Sequence, residues 1–125
     1  MKKKMLIMGL DSAPAEIVFD RSSELPVLNS LLRRGLWGTM RSSDPPITIP
    51  AWMVMCTGLD PARLGLYGFR HRTDYSYDKM WIANATAVKA PKVWDHLGRA
   101  GGRSCLVSVP PSYPPYAVPG WLISC

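Results

Sequence analysis

Two side chains in this sequence have the types and the settings that phosphoryl chemistry uses, Asp11 and Thr48. Asp11 closes the apolar run Met5-Leu6-Ile7-Met8-Gly9-Leu10. In open α/β sheets ligands collect beyond the carboxyl ends of the strands, and a carboxylate there can hold a divalent cation. A plainer alternative is a turn cap, since Ser12 and Pro14 follow directly. Thr48 stands after the breaker Asp44-Pro45-Pro46 and opens the apolar stretch Ile49 to Cys56. At a helix start the positive end of the peptide dipole favours an anion such as phosphate. A hydroxyl held there beside a metal is more easily deprotonated and can attack phosphorus, leaving a covalent intermediate. Its plainer alternative is an ordinary N-cap. Neither residue decides the matter alone. His71 and His96 are the only histidines. Neither falls in a D-x-H or H-x-x-x-H arrangement, and His96 reads as a surface or half-buried helix residue rather than a ligand.

The elements that must position these groups follow from the apolar pattern. Met5 to Leu10 is continuous rather than alternating, the pattern of a strand buried on both faces of a parallel sheet. A helix is expected from Ser23 to Arg34, with Ser22 or Ser23 as cap, Leu28, Leu31 and Leu32 on one face, and Gly35 as its stop. Leu36 to Ser43 reads as a second strand. A second helix opens at Thr48-Ile49-Pro50, with Thr48 as candidate cap, and ends near Gly58. Asp60 to Ala90 lacks a sustained period and is expected to be irregular, with room for one short strand. A third helix is expected from Pro91 to Ala100, a buried strand from Arg103 to Val109, a rigid proline-rich connector, and a final strand from Trp121 to Cys125. The strands starting at Met5 and Arg103 should be neighbours or near neighbours. The resulting fold class is α/β, a mainly parallel sheet with helices on both faces.

Composition bounds the remainder. A chain of 125 residues that is 47% hydrophobic can bury a core. Its +6 charge suits a phosphate-bearing partner, although the basic residues are scattered and the only run, Lys2-Lys3-Lys4, reads as a solvated lead-in to a strand. Cys56, Cys105 and Cys125 share no CxxC spacing and sit in apolar surroundings, so they read as small core residues of a reducing compartment. The six-residue run Met5 to Leu10 is shorter than the roughly 7–15 apolar residues of a secretory signal. No segment approaches the ~20 apolar residues of a membrane span. A cytoplasmic location is expected. Asn84-Ala85-Thr86 matches a glycosylation triplet, which would be inert there.

In combination the motifs are more specific. Gly9-Leu10-Asp11 is followed by Pro45-Pro46-Ile47-Thr48-Ile49-Pro50-Ala51-Trp52 and by Thr57-Gly58-Leu59-Asp60-Pro61. Gly65-Leu66-Tyr67-Gly68-Phe69, Val93-Trp94-Asp95 and Val109-Pro110-Pro111-Ser112-Tyr113-Pro114-Pro115 continue the series. With these residues the chain resembles the type I phosphodiesterase/nucleotide pyrophosphatase family of the alkaline phosphatase superfamily over nearly its whole length. The resemblance implies an alkaline-phosphatase-like fold and hydrolysis of phosphodiester or pyrophosphate bonds in a small-molecule or nucleotide substrate, not a specific nucleic acid. It also implies a metal-binding role for Asp11, a nucleophilic role for Thr48 in a T-x-P segment, and two divalent metal ions, zinc first among them. Leu64 stands where the family commonly has a His before Gly65-Leu66.

The family's other metal ligands are Asp and His residues farther downstream. Residues 1–125 are therefore expected to be the N-terminal portion of one catalytic domain, truncated at the C-terminus and inactive alone, with Asp11 and Thr48 meeting at the carboxyl edge of its sheet. Rival readings are a catalytically inactive binding remnant and a phosphomonoesterase or phosphotransferase of the same superfamily. Asp11-Ser12-Ala13 is similar to the D-S-A around the serine of alkaline phosphatases proper, which makes Ser12 an alternative nucleophile. The sulfatase pattern C/S-x-P-x-R fails at both ends, with Thr48 and Trp52 in those places.

Overall fold

In the computed structural model residues 4–125 are described, so Lys2 and Lys3 of the expected basic lead-in lie outside the described residues. The chain divides into two units, Met1–Arg41 and Ser42–Cys125.

In the first unit the sequence expectation of strands is not met. Met5, Leu6, Ile7, Met8 and Leu10 form no strand and are 63–87% exposed. Leu36 to Ser43 is likewise without strand, and the side chains of Leu36 and Met40 stand in solvent. A strand gains its stability from a ladder of hydrogen bonds to a neighbour and from cover on its faces. Within this unit the described residues supply neither. It holds instead a π-helical turn at Glu16–Asp20, a 3₁₀ turn at Ser22–Glu24 and helix α1 at Pro26–Arg34. The helix starts later than the serines suggested because Pro26 constrains the residue before it. Leu25 sits at φ −118°, ψ 75°, outside the helical region, and becomes the cap position. Pro26 then occupies the first turn, where its missing N–H removes nothing. The Phe19 and Trp37 rings meet at 4.7 Å between centroids.

The second unit is organised by helix α2 (Thr48–Thr57). Ile49, Pro50, Met53 and Cys56 recur along it and are buried. Met53 packs with Leu66, Val88 and Trp94 into the core. Full burial of such side chains contributes about 1.5–3 kcal/mol each. Gly58, at φ 72°, ends the helix with its N–H on the Val54 carbonyl at 2.8 Å. Thr57 Oγ1 donates to Met53 O at 2.6 Å and accepts the Leu59 N–H at 3.2 Å.

The stretch after Leu59 is more ordered than its composition suggests. It holds helix α3 (Pro61–Leu64), strands β1 (Arg70–Arg72) and β2 (Met80–Ile82) paired as an antiparallel hairpin, and a 3₁₀ turn at Ala85–Ala87. Each turn carries its own cap. Asp60 Oδ1 accepts the Arg63 N–H at 2.8 Å, and Asn84 Oδ1 accepts the Thr86 N–H at 2.9 Å.

Helix α4 (Val93–Arg99), strand β3 (Ser104–Val107) and strand β4 (Gly120–Ile123) appear where the sequence placed them, with trimmed ends. β3 and β4 pair in parallel, from Ser104↔Gly120 to Val107↔Ile123. The architecture is thus mixed α/β with two separate two-stranded sheets, one antiparallel and one parallel. The expected single, mainly parallel sheet with a Met5 strand beside the Arg103 strand is not formed by the described residues. Leu106 packs toward the core, whereas Val107, Trp121 and Ile123 on the other face of the parallel pair are about 60% exposed. Of the three cysteines only Cys56 is buried, and Cys105 and Cys125 are exposed, which corrects their reading as core residues.

Candidate functional site

Thr48 is the first residue of α2 rather than its cap. The cap position belongs to Ile47, whose extended backbone (φ −109°, ψ 146°) turns the chain into the helix without a side-chain hydrogen bond. Thr48 is half-buried, and the two residues after it are anchored in the core, Ile49 at 5% exposure and Pro50 fully buried. The hydroxyl-bearing residue is therefore carried on a helix start that cannot shift without moving the core. Pro50 brings no N–H to that first turn, and Ala51 donates its own to Ile47 O at 2.9 Å. The positive end of the α2 dipole is directed at the surroundings of Thr48, a setting that favours a phosphoryl group.

Gly68 lies beside this start, where an added Cβ would come into ordinary contact with Ile47 Cδ1 at 3.9 Å. Its carbonyl is fixed in turn by His71, whose Nε2–H donates to Gly68 O at 3.1 Å. The His71 ring stacks on Trp81 with centroids 4.4 Å apart. His71 is thereby a structural residue of the hairpin. His96 is exposed on α4, and its neighbour Asp95 is occupied by Lys92, accepting the backbone N–H at 2.7 Å with the ammonium at 3.5 Å. That Gly68 lies beside the Ile47 cap position was not read from the sequence. Its only signal there was the glycine inside Gly65-Leu66-Tyr67-Gly68-Phe69.

Asp11 lies in a turn of the first unit and is exposed, followed by Ser12 at φ 55°. Thr48 belongs to the second unit. Among the described residues no group of three or more His, Cys, Asp or Glu side chains comes together as a metal-binding set. No helix is long and apolar enough to cross a membrane among the described residues.

A family model decides the assignment. The type I phosphodiesterase / nucleotide pyrophosphatase model matches residues 5–122, nearly the full chain, a span that contains Asp11 and Thr48. The chain belongs to this family. No curated protein and no solved structure matches it. Membership implies a hydrolase of the phosphodiesterase or nucleotide pyrophosphatase type, in a family that is typically metal-dependent.

Proposed function

We propose that this chain takes part in hydrolysis of phosphodiester or pyrophosphate bonds in a small-molecule or nucleotide substrate, with Thr48 as nucleophile and Asp11 as a ligand of one of two divalent metal ions, zinc being the first to test. The observation that carries the reading is the family match over residues 5–122 together with the place of Thr48 at the core-anchored start of α2. In the step assigned to Thr48, its Oγ bonds to phosphorus as the bond from phosphorus to the leaving oxygen breaks. The hydroxyl proton passes through solvent to the departing group. Water then cleaves the Thr48–phosphorus ester and restores the hydroxyl. The dipole of α2 stabilises the negative charge on the phosphoryl oxygens in both steps.

One carboxylate and one hydroxyl fall short of the roughly three protein ligands of a catalytic zinc. The described residues therefore do not fit a two-metal centre by themselves. We place the remaining ligands outside them, which makes this chain the N-terminal portion of a catalytic domain. The test is acid-quench trapping on the full gene product with a nitrophenyl phosphodiester, followed by peptide mass spectrometry. The phosphoryl group, still carrying its second ester substituent, on the peptide with Thr48, and absent in Thr48→Ala, is the expected result. The same adduct on Ser12 would move the nucleophile, and turnover with no modified peptide would remove the covalent step. A protein that binds the substrate without turnover would be the binding remnant.

A further inference from the structure

The second unit contains an open groove of about 340 Å³ that plays no part in the chemistry assigned to Thr48. One wall is formed by the 3₁₀ turn and the chain after it, through Ala85, Val88, Lys89 and Lys92, and the other by Pro115 and Tyr116. That volume lies at the lower end of the range of small-molecule sites.

Both walls are fixed before any ligand arrives. The Ala85 N–H donates to Tyr113 O at 2.8 Å and ties one wall to the other. Asn84 Oδ1 holds the 3₁₀ turn through the Thr86 N–H and hydroxyl, at 2.9 and 2.7 Å. Proline 115 has no rotatable side chain to order, and Ala85 and Val88 are buried at their bases. A groove held this way loses little conformational freedom on binding.

Its charged groups, Lys89 and Lys92, are of one sign. The Lys92 ammonium lies 3.5 Å from Asp95 and 5.1 Å above the Tyr116 ring, so its charge is already met. Lys89 is exposed and in no ion pair among the described residues, which leaves the groove one uncompensated positive charge. Burial pushes the Tyr116 hydroxyl above its ordinary range, against the pull of the Trp94 indole N–H and with the Asp95 charge adding to the rise. The phenol therefore stays protonated and able to donate. The lining thus offers a cation and a hydroxyl donor beside the apolar side chains of Ala85, Val88 and Pro115.

We propose that this groove binds a small organic anion, a phosphate or carboxylate carried on a compact apolar body, with Lys89 capturing the charge and Tyr116 donating a hydrogen bond to it. Neither inorganic phosphate nor an uncharged ring satisfies both halves of the lining.

The experiment is chemical-shift titration of the ¹⁵N-labelled chain carrying Thr48→Ala, which keeps the outcome separate from the assignment of Thr48. Phenyl phosphate and benzoate are the probes, with phenol and inorganic phosphate as half-ligands. The expected result is saturable shifts at Ala85, Thr86 and Val88 with at least one aryl anion, and shifts weaker by about tenfold with each half-ligand. Lys89→Gln, an exposed change that leaves the fold intact, should weaken the aryl anion by a similar factor. No saturable shifts at these amides, equal response to the half-ligands, or binding unchanged by Lys89→Gln would each overturn the proposal.

Discussion

Gly120 passes so close to the Ser104 backbone carbonyl that no Cβ fits between them, and it does so at φ 144°, a conformation L side chains rarely adopt. The first rung of the parallel pair, Ser104↔Gly120, thus depends on the missing side chain. Gly120→Ala should separate β4 from β3 and destabilise the chain by about 1–3 kcal/mol. Urea unfolding with an unchanged slope and a lowered midpoint is the expected observation. Loss of protection at the Ser104 amide, which donates to Pro119 O at 2.8 Å, should accompany it.

Trp94 is the largest side chain of the core, 5% exposed and packed with Met53 and Leu66. Trp94→Ala should cost about 3–5 kcal/mol, in the range for truncation of buried aromatics. Trp94→Phe should recover a large part of that loss. Thermal unfolding of the two variants side by side checks the order.

Thr48→Ala removes one half-buried hydroxyl at the head of a helix that Ile49 and Pro50 anchor in the core, so the fold should survive at a cost of about 1 kcal/mol. Turnover by the full gene product should fall to background, and Thr48→Ser should retain part of it. In the same protein Asp11→Asn should lower metal occupancy, read by elemental analysis after dialysis. The chain of 125 residues alone should bind zinc more weakly than micromolar and hydrolyse nitrophenyl phosphodiesters at background. Calorimetry and an absorbance assay test both statements, and tight zinc binding with turnover would show that a ligand set exists within this chain.

The three thiols should separate cleanly. Burial pushes the Cys56 thiol above its ordinary range, against the pull of the nearby Lys92 charge. The native chain at pH 8 should therefore alkylate at Cys105 and Cys125 and spare Cys56, with all three reacting in denaturant. Because the folded state holds the Cys56 proton more tightly than the unfolded state, its contribution is fully present below the thiol's ordinary range. It is lost as pH rises from there through the raised folded value. Cys56→Ala should flatten that alkaline decline.

Where local signals and tertiary cover agreed, the sequence was readable. Helix α2 has buried residues at helical spacing and Gly58 at its end, and both features were visible in the letters alone. β3 and β4 were legible as apolar runs bounded by glycine and proline. Met5 to Leu10 carries the same kind of run and forms no strand, because a run states what a segment would bury and not what is there to cover it. The start of α1 was misplaced by the serines, whose capping propensity lost to the constraint Pro26 puts on Leu25. For the candidate site, the order of Thr48, Ile49 and Pro50 was enough to put a hydroxyl at a helix start. It could not reveal that Ile47 takes the cap position, or that Gly68, distant in sequence, lies beside it.

The register of the two strand pairs has a consequence for how each forms. In the hairpin the rungs nest, from Arg70↔Ile82 inward to Arg72↔Met80, so the innermost can close a short loop first and the others follow by zipping. In the parallel pair every rung from Ser104↔Gly120 to Val107↔Ile123 joins residues sixteen positions apart. No rung offers a cheaper first closure than the next, and the entropy of the whole proline-rich excursion is lost before any hydrogen bond is gained. Amide exchange should therefore open the hairpin gradually from its free ends, whereas the four rungs of β3 and β4 should open together with one common rate.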